Sequence, residues 1–330
     1  RLAGLCERDD VYRWICGGVP INYHMLSDFR VLHKAALDTL MTDILAAMMS
    51  EGLVTLKRVA QDGMRVRASA GASSFRRGET LENLRVEAAA EVERLSRQID
   101  AAEETKRERA ARKRAARERH ERLVSAQAAL DTIRGTKQTQ AERAAVRVST
   151  TDPEARVMKM ADGGFRPAFN VQAATDTESQ VIVGVSVTAT GSDASEAPPM
   201  VLQVEARAEK KPDEYLVDGG FANKATVEQM ADSGITLYAP VQKPKDTNRD
   251  PHQPLPNDSE AVAAWRIRMG EAKAKEIYKE RAATAECVNA KCRSMYGMRQ
   301  FNVRGIHKVT CVVFLTAIAH NLLRWIALVG

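Results

Sequence analysis

The feature that most constrains the fold is a stretch from Glu79 to Arg147 that contains no proline and a single glycine, Gly135. It is rich in alanine, glutamate and arginine, which favour helices. Apolar residues recur along it at helical spacing in two groups, which are Leu84, Ala88, Leu95, Ile99 and Ala102, then Leu123, Ala126, Leu130 and Ile133. Between the groups alanine is the only apolar residue. The stretch predicts a long helix or a helical hairpin, largely exposed to solvent.

The rest of the chain carries the alternating pattern of β-strands. Residues 54–69 predict a first strand, and residues 169–190 predict two strands around a turn at Asp176–Ser179. Residues 214–242 read as strand, helix and strand, a β-α-β unit. A loop rich in proline, aspartate and asparagine follows at 243–259, and the remainder is mostly helical. We therefore expect an α/β fold, with a mixed sheet core, a long helical insertion after the first strand and flanking helices.

The pattern also predicts a domain organisation. Residues 1–52 form a helical region, and because the chain starts at Arg1 inside helical sequence, we expect this region to be the remnant of a truncated domain. Residues 53–330 form the second domain, interrupted by the helical insertion at 79–147. The longest apolar run, at the C-terminus, is interrupted by His320, Asn321 and Arg324, so we expect a buried helix rather than a membrane span.

Charge and cysteine content set further limits. The net charge is +6 with a pI near 9.1, which favours an anionic partner. Five cysteines without a secretory segment argue for a reducing cytosol rather than a disulfide scaffold. Cys287 and Cys292 are five residues apart, about 140° on an α-helix, so they do not face each other as a metal or disulfide pair would. Four of the six histidines have no second ligand at metal-like spacing and are interpreted as structural or surface residues: His24, His33, His307 and His320.

Three acidic residues are the candidates for chemistry. Asp62 and Asp218 each precede a glycine, and we expect each at the C-terminal end of a strand, where ligands gather in open α/β sheets. With Glu286 from a helix they could hold two Mg²⁺ ions for phosphoryl transfer. The alternative is an Asp-Gly hairpin turn, which the spacing alone favours at Asp62 and leaves equally open at Asp218. Glu286 alone is typical of a solvated helix position.

A series of segments changes this balance. In chain order they are "SDFRVLH", "DGMRVRASAG", "TTDPEARVMKMADGGFRPAFNVQAATDTESQVIVG", "GSDASEAPPM", "YLVDGGFANKATVEQMADSGITLYAP", "YKERAATAE" and "GMRQFNVRGIHKVTCVVFLTAIAHNL". Together they resemble bacterial insertion-sequence transposases of the Asp-Asp-Glu class, in the superfamily with the helix signature Tyr-x2-Arg…Glu-x6-Lys. The resemblance covers nearly all of the chain except the helical insertion.

The resemblance implies an RNase H-like fold in which Asp62, Asp218 and Glu286 are the catalytic and metal-binding residues. The implied cofactor is Mg²⁺ or Mn²⁺, with two ions expected. The implied reaction is metal-dependent nicking of DNA at the element ends, followed by attack of the freed 3′-hydroxyl on target DNA.

The resemblance also implies contacts with DNA. Tyr278 and Arg281 match the Tyr-x2-Arg signature, and Arg293 stands where the family has lysine, a position expected to contact a phosphate. Arg299 and Arg304 in "GMRQFNVRG" are further candidates for the DNA backbone. The arginine-rich stretch 106–122 either binds phosphates without reading sequence or is a solvated helix face, and its sequence leaves both open. After Glu286 the family usually has a Pro-Val-Phe-Gly-like segment, whereas this chain has "CVNAKC".

The expected partners are double-stranded DNA, as terminal inverted repeats and target, and a second copy of the chain, because two ends must be brought together. We expect a bacterial cytoplasmic protein associated with the nucleoid and no membrane partner. Two alternatives remain: a decayed, non-catalytic DNA-binding relic, and a metal-dependent nuclease on the same fold that only hydrolyses DNA.

Overall fold

The computed structural model describes residues 2–97, 105–244 and 249–330, so the predicted stripe positions Ile99 and Ala102 lie outside the described residues. The chain begins with helices α1 (Leu2–Arg8), α2 (Asp10–Ile15), α3 (Tyr23–Leu32) and α4 (Lys34–Ser50), as the sequence predicts. The apolar face of α4 is buried in the same hydrophobic core as the sheet. That face is formed by Leu37, Met41, Ile44, Leu45 and Met48.

The strands form a mixed sheet and a small two-stranded ribbon. In chain order they are β1 (Arg58–Arg67), β2 (Phe75–Arg76), β3 (Val148–Ser149), β4 (Arg156–Lys159), β5 (Phe165–Asp176), β6 (Ile182–Thr188), β7 (Glu214–Leu216) and β8 (Thr236–Tyr238). The sheet order is β4-β5-β1-β7-β8, with β6 also paired to β5. β5 runs antiparallel to β1, β4 and β6, whereas β7 is parallel to β1 and β8. The predicted mixed α/β core, the turn between β5 and β6, and the β-α-β unit are confirmed.

The hairpin prediction at Asp62 and Gly63 is wrong, and so is the placement of Asp62 at a strand end. Both residues lie in the middle of β1, paired with β5 on one side. Gly63 has a different reason to be glycine, because a Cβ there would lie 2.3 Å from Oδ1 of Asp193. A glycine inside a strand often marks such a close approach.

The insertion after β1 is a helical hairpin with a hydrophobic core of its own. It comprises α5 (Gly78–Arg97), α6 (Lys106–Gly135) and α7 (Gln140–Ala145), and β2 and β3 pair at its base. α5 and α6 pack against each other along the predicted apolar stripe. This separate core consists of Leu81, Ala88, Leu123, Ala126, Leu130, Val146 and Val148.

The remaining helices cover the sheet. They are α8 (Ala197–Ala208), α9 (Lys224–Asp232) between β7 and β8, α10 (Glu260–Gly270), α11 (Ala272–Arg281), α12 (Cys287–Ser294) and α13 (Ile306–Val329). Within the predicted loop that precedes α10, Asp258 bonds to Arg266 at 2.6 Å and to Lys224 at 2.9 Å. These two pairs fasten the described part of the loop to α9 and α10.

α13 is the one helix in the described residues that is long and apolar enough to cross a bilayer. Its first half is buried against α4 and β6. The polar residues in its second half are bonded to the start of β6: the amide of Asn321 both accepts from and donates to the Ile182 backbone at 2.8 Å, and His320 Nε2 lies 2.8 Å from the Gln180 carbonyl oxygen. These are the contacts of a helix that completes a protein core.

Candidate active site

The three acidic residues come from three different elements. Asp62 lies in the middle of β1, and Asp218 lies two residues beyond the end of β7, as predicted for a strand end. Because β7 pairs with β1, the two side chains lie on neighbouring strands. Glu286 is the last residue of a π-helical turn, Ala282–Glu286, which joins α11 to α12.

All three carboxylates surround one guanidinium, that of Arg281. Its Nη2 lies 3.0 Å from Oδ1 of Asp62 and 3.8 Å from Oδ2 of Asp218, and its Nη1 donates to Oε1 of Glu286 at 2.7 Å. The Arg281 side chain is 10% exposed, against 17% for Asp62, 40% for Asp218 and 55% for Glu286. The acids therefore open towards solvent around a buried cation, and the structure brings the predicted site residues together.

The π-helical turn explains how Glu286 reaches this cation. Arg281 and Glu286 are five residues apart, and on a regular α-helix they would point about 140° away from each other. The wider turn, with its i→i+5 hydrogen bonds, rotates them towards the same side. Single π-helical turns are frequent at functional sites. The sequence alone gives no sign of it, because "RAATAE" is compatible with an ordinary α-helix.

The helix that carries Arg281 is fixed to the sheet by a second ion-pair cluster. Arg58, at the start of β1, pairs at 2.5 Å with both Glu214 of β7 and Glu280 of α11. Its side chain is 16% exposed, so these pairs are shielded from solvent more than surface pairs are. The cluster holds α11 against the strands that carry Asp62 and Asp218.

Sequence reasoning missed Asn289, which with Arg281 is one of the two side chains in the described part of the chain that donate hydrogen bonds to Asp62. Its Nδ2 donates to Oδ2 of Asp62 at 2.9 Å, and the residue is 5% exposed. The signal available was its spacing, since Asn289 follows Glu286 by three residues and so lies on the same helix face. Oδ1 of Asn289 is buried and has no hydrogen-bond donor among the described residues.

The electrostatics of the site follow from burial and from this single cation. Burial raises the pKa of Asp62, as does the nearby Asp218 charge, while Arg281 and the Asn289 amide oppose the shift. Burial lowers the pKa of Arg281, but the surrounding carboxylates outweigh it and the net shift is upward, so the guanidinium is charged. Burial also raises the pKa of Tyr278, which lies near the same acids. The site thus concentrates acidic charge in a partly shielded environment.

The predicted DNA-contact residues are distributed unevenly. Arg281 is buried and its guanidinium contacts carboxylates, and Tyr278 is half-buried beside it. Arg299 and Arg304 are exposed, in a segment that runs alongside the end of β1, and Arg293 is half-exposed near Arg299. The exposed basic residues therefore lie near the C-terminal end of β1, the strand that carries Asp62.

The opposite face of β1 carries a buried polar network that sequence reasoning also missed. Asp193 Oδ1 accepts from the amides of Asn170 and Gln172 at 2.7 Å, and its Oδ2 accepts from Arg65 at 3.2 Å. Gly63 lets Asp193 approach the strand this closely. The network fixes the loop before α8 to the strand that carries Asp62.

The cysteines play no part in the site. All five are free thiols, and Cys287 and Cys292 lie in α12 without forming a pair, as predicted. Cys292 is buried in the core, and burial raises the pKa of its thiol to about 11. With Val288, which is also buried, it packs α12 against the core, so the helix is packed without the family's aromatic residue.

The donor chemistry fits a hard divalent cation. The available ligands are all carboxylate oxygens, those of Asp62, Asp218 and Glu286. Within residues 2–97, 105–244 and 249–330, no three acidic, histidine or cysteine side chains are arranged to share one ion as they stand. The space between the acids is taken by the guanidinium of Arg281, itself a cation.

The comparisons with known proteins agree with this geometry. The family model for the transposase DDE domain matches residues 131–322, more than half of the 330-residue chain. The match includes Asp218 and Glu286, whereas Asp62 lies before it and is connected to the site by its contacts with Arg281 and Asn289. No curated protein and no solved structure matches the chain significantly.

Proposed function

Because the chain belongs to the family of transposase DDE domains, we propose that it is an insertion-sequence DNA transposase with Asp62, Asp218 and Glu286 as its catalytic acids. The observation that carries this proposal is the convergence of the three acids on Arg281. They come from a strand, a strand end and a helical turn that are far apart in sequence. A solvated helix residue or a hairpin aspartate would have no reason to meet the others.

We propose that the core is RNase H-like. In support, the antiparallel strands β6, β5 and β1 continue into the parallel strands β7 and β8, with two of the acids on the adjacent central strands. The helical hairpin is inserted after β1 and leaves the order of the sheet intact.

Transposases of this family generally use divalent metal ions, and we propose two Mg²⁺ or Mn²⁺ ions held by Asp62, Asp218 and Glu286. Such ions would supply activation of the attacking oxygen and charge stabilisation at the scissile phosphate. The protein's own groups bind and orient. Asp62 and Asp218 present hard oxygen ligands from adjacent strands, while Arg281 balances their charge and orients Glu286.

We propose that DNA lies across the acids and along the exposed basic residues Arg293, Arg299 and Arg304, with Tyr278 and Arg281 near the reacting phosphate. The hairpin supplies a second basic surface in its arginine-rich stretch. Residues 106–122 hold nine basic and three acidic residues, a net charge that equals the +6 of the whole chain. Part of this stretch faces α5, where Arg112 and Arg119 lie near Glu91. Clustered basic charge of this kind supports salt-dependent binding to phosphates.

The reaction has to join two element ends to a target, so we propose a homodimer that holds both ends, acting on DNA in the bacterial cytoplasm. The substrates are then the terminal inverted repeats of the element and the target duplex.

The test is a strand-transfer assay with DNA carrying the element ends, target DNA and Mg²⁺. We expect joined products, and Asp62→Asn, Asp218→Asn and Glu286→Gln should each abolish them while DNA binding remains. The matched control is Glu276→Gln, an exposed acid on α11 that pairs only with Lys279 among the described contacts. Nicks without joining would indicate a hydrolytic nuclease, and binding without either would indicate a relic. Normal strand transfer by Asp62→Asn would refute the assignment.

A further inference from the structure

Both oxygens of Asp62 are held by the helical unit that carries Glu286. Oδ1 accepts from Arg281 at 3.0 Å, and Oδ2 accepts from the Asn289 amide at 2.9 Å. An ionised carboxylate has about four acceptor positions. Each oxygen of Asp62 therefore keeps capacity for a further partner, while the plane of the carboxylate is fixed by two donors.

The amide of Asn289 has only one possible orientation at this contact. An ionised carboxylate accepts hydrogen bonds and donates none, so Nδ2 has to face Asp62. Oδ1 then points elsewhere, and it is buried without a donor among the described residues. A buried acceptor without a partner destabilises the folded chain. An apolar residue of the same size would avoid that loss but would also remove the hydrogen bond to Asp62, so the two effects on fold stability oppose each other.

The apolar packing of the helix does not depend on position 289. It is supplied by Val288 and Cys292, which are 0% and 4% exposed. Position 289 can therefore carry a polar side chain.

We propose that Asn289 is a positioning residue, which orients the Asp62 carboxylate for metal binding. This inference rests on the proposed function, because it assumes that Asp62 is a metal ligand. Asn289 acts through its hydrogen bond to Asp62, and it lies on the same helix face as Glu286. It therefore connects the position of Asp62 to that of the helix that follows Glu286. Residues that orient metal ligands typically change metal affinity by tenfold to a hundredfold.

The test measures Mn²⁺ binding to the full chain without DNA, from the electron paramagnetic resonance signal of the free ion, together with stability in urea. Asn289→Leu should weaken Mn²⁺ binding at least tenfold while the stability of the metal-free protein stays close to that of wild type, because removing the unpaired acceptor offsets the lost hydrogen bond. Asn289→Ser, whose hydroxyl is too short to reach Asp62, should weaken Mn²⁺ binding similarly and serves if the leucine variant does not fold.

The matched control is Asn170→Leu. Asn170 is equally buried, donates to Asp193 at 2.7 Å and has an unpaired Oδ1, but it lies on the opposite face of the sheet from Asp62. Asn170→Leu should keep wild-type affinity for Mn²⁺, because Asp193 is not a proposed metal ligand. Wild-type affinity in both Asn289 variants would overturn the inference, as would a parallel loss of stability and affinity in Asn289→Leu. Wild-type protein whose Mn²⁺ binding is insensitive to Asp62→Asn would overturn the proposed metal site itself, and the inference with it.

Discussion

Replacing Gly63 by alanine tests whether the strand that carries Asp62 is shaped by the polar network on its other face. The added methyl group would lie 2.3 Å from Oδ1 of Asp193 and 2.7 Å from Nε2 of Gln172. Neither contact is tolerable, so Asp193 or the strand has to move. The Asp193 carboxylate lies at the end of a short side chain, and hydrogen bonds from Asn170, Gln172 and Arg65 hold it in place.

The cost has two parts. Overpacking of a well-packed interior costs about 1–3 kcal/mol. A hydrogen bond to a charged group contributes about 1.5–3 kcal/mol, and displacing Asp193 weakens at least one of them. Because one displacement of Asp193 both relieves the clash and weakens its hydrogen bonds, we expect the two parts to overlap. The free energy of unfolding of Gly63→Ala should fall by about 2–4 kcal/mol, measured by urea denaturation.

The control is Gly71→Ala, where the nearest atom to a Cβ is Ser73 Oγ at 3.5 Å and the backbone φ is −87°. It should change stability by less than about 0.5 kcal/mol. In an Asp193→Ala background the closer clash partner is gone and the amide of Gln172, at the end of a flexible side chain, remains, so Gly63→Ala should cost less. If Gly63→Ala is as stable as Gly71→Ala, or costs the same with and without Asp193, the reasoning is refuted.

Three further outcomes are expected. Burial raises the pKa of Asp258, but Lys224 and Arg266 lower it to about 2. The ionised carboxylate therefore stabilises the folded chain above the unfolded pKa near 3.9, and this stabilisation is lost as the pH falls through 2. Asp258→Asn should make the urea midpoint depend less on pH between pH 5 and 2. Burial and two nearby basic side chains lower the pKa of His320. The neutral imidazole therefore contributes to the stability of the folded chain above about pH 6.5, and this contribution is lost at lower pH. His320→Gln should remove the loss of stability that wild type shows as the pH falls below 6.5. Leu130→Ala empties a fully buried position in the hairpin core and should cost about 2–5 kcal/mol there, seen as faster amide exchange in α5 and α6 with unchanged Mn²⁺ binding.

Most of the fold could be read from local patterns. The proline-free, alanine-rich stretch predicted the hairpin, and alternation predicted the strands and the β-α-β unit, because helix and strand periodicities depend on which face is buried. The pattern failed at Asp62 and Gly63. There the dipeptide has the composition of a turn, and the reason for its glycine is Asp193, which is 130 residues further along the chain.

The site divides in the same way. The sequence, through its resemblance to a family, proposed the three acids, and the structure brings them together around Arg281. The family resemblance implied a DNA contact for Arg281, and the folded chain buries the Arg281 guanidinium among the acids. Asn289 could not be identified in advance, since one asparagine on a helix has no pattern to distinguish it.

Local patterns in the chain account for the order of the helices and strands and for the inserted hairpin, because these depend on neighbours within a few positions. The acidic residues available for chemistry can also be read from it. The contacts that join β1, β7 and the π-helical turn are set by the tertiary fold alone. Asp62, Asp218 and Glu286 meet because strand pairing and helix packing place distant segments side by side. The turn that rotates Glu286 towards Arg281 is one of two possible helical geometries for the same residues, and the contacts around it are consistent with the wider one.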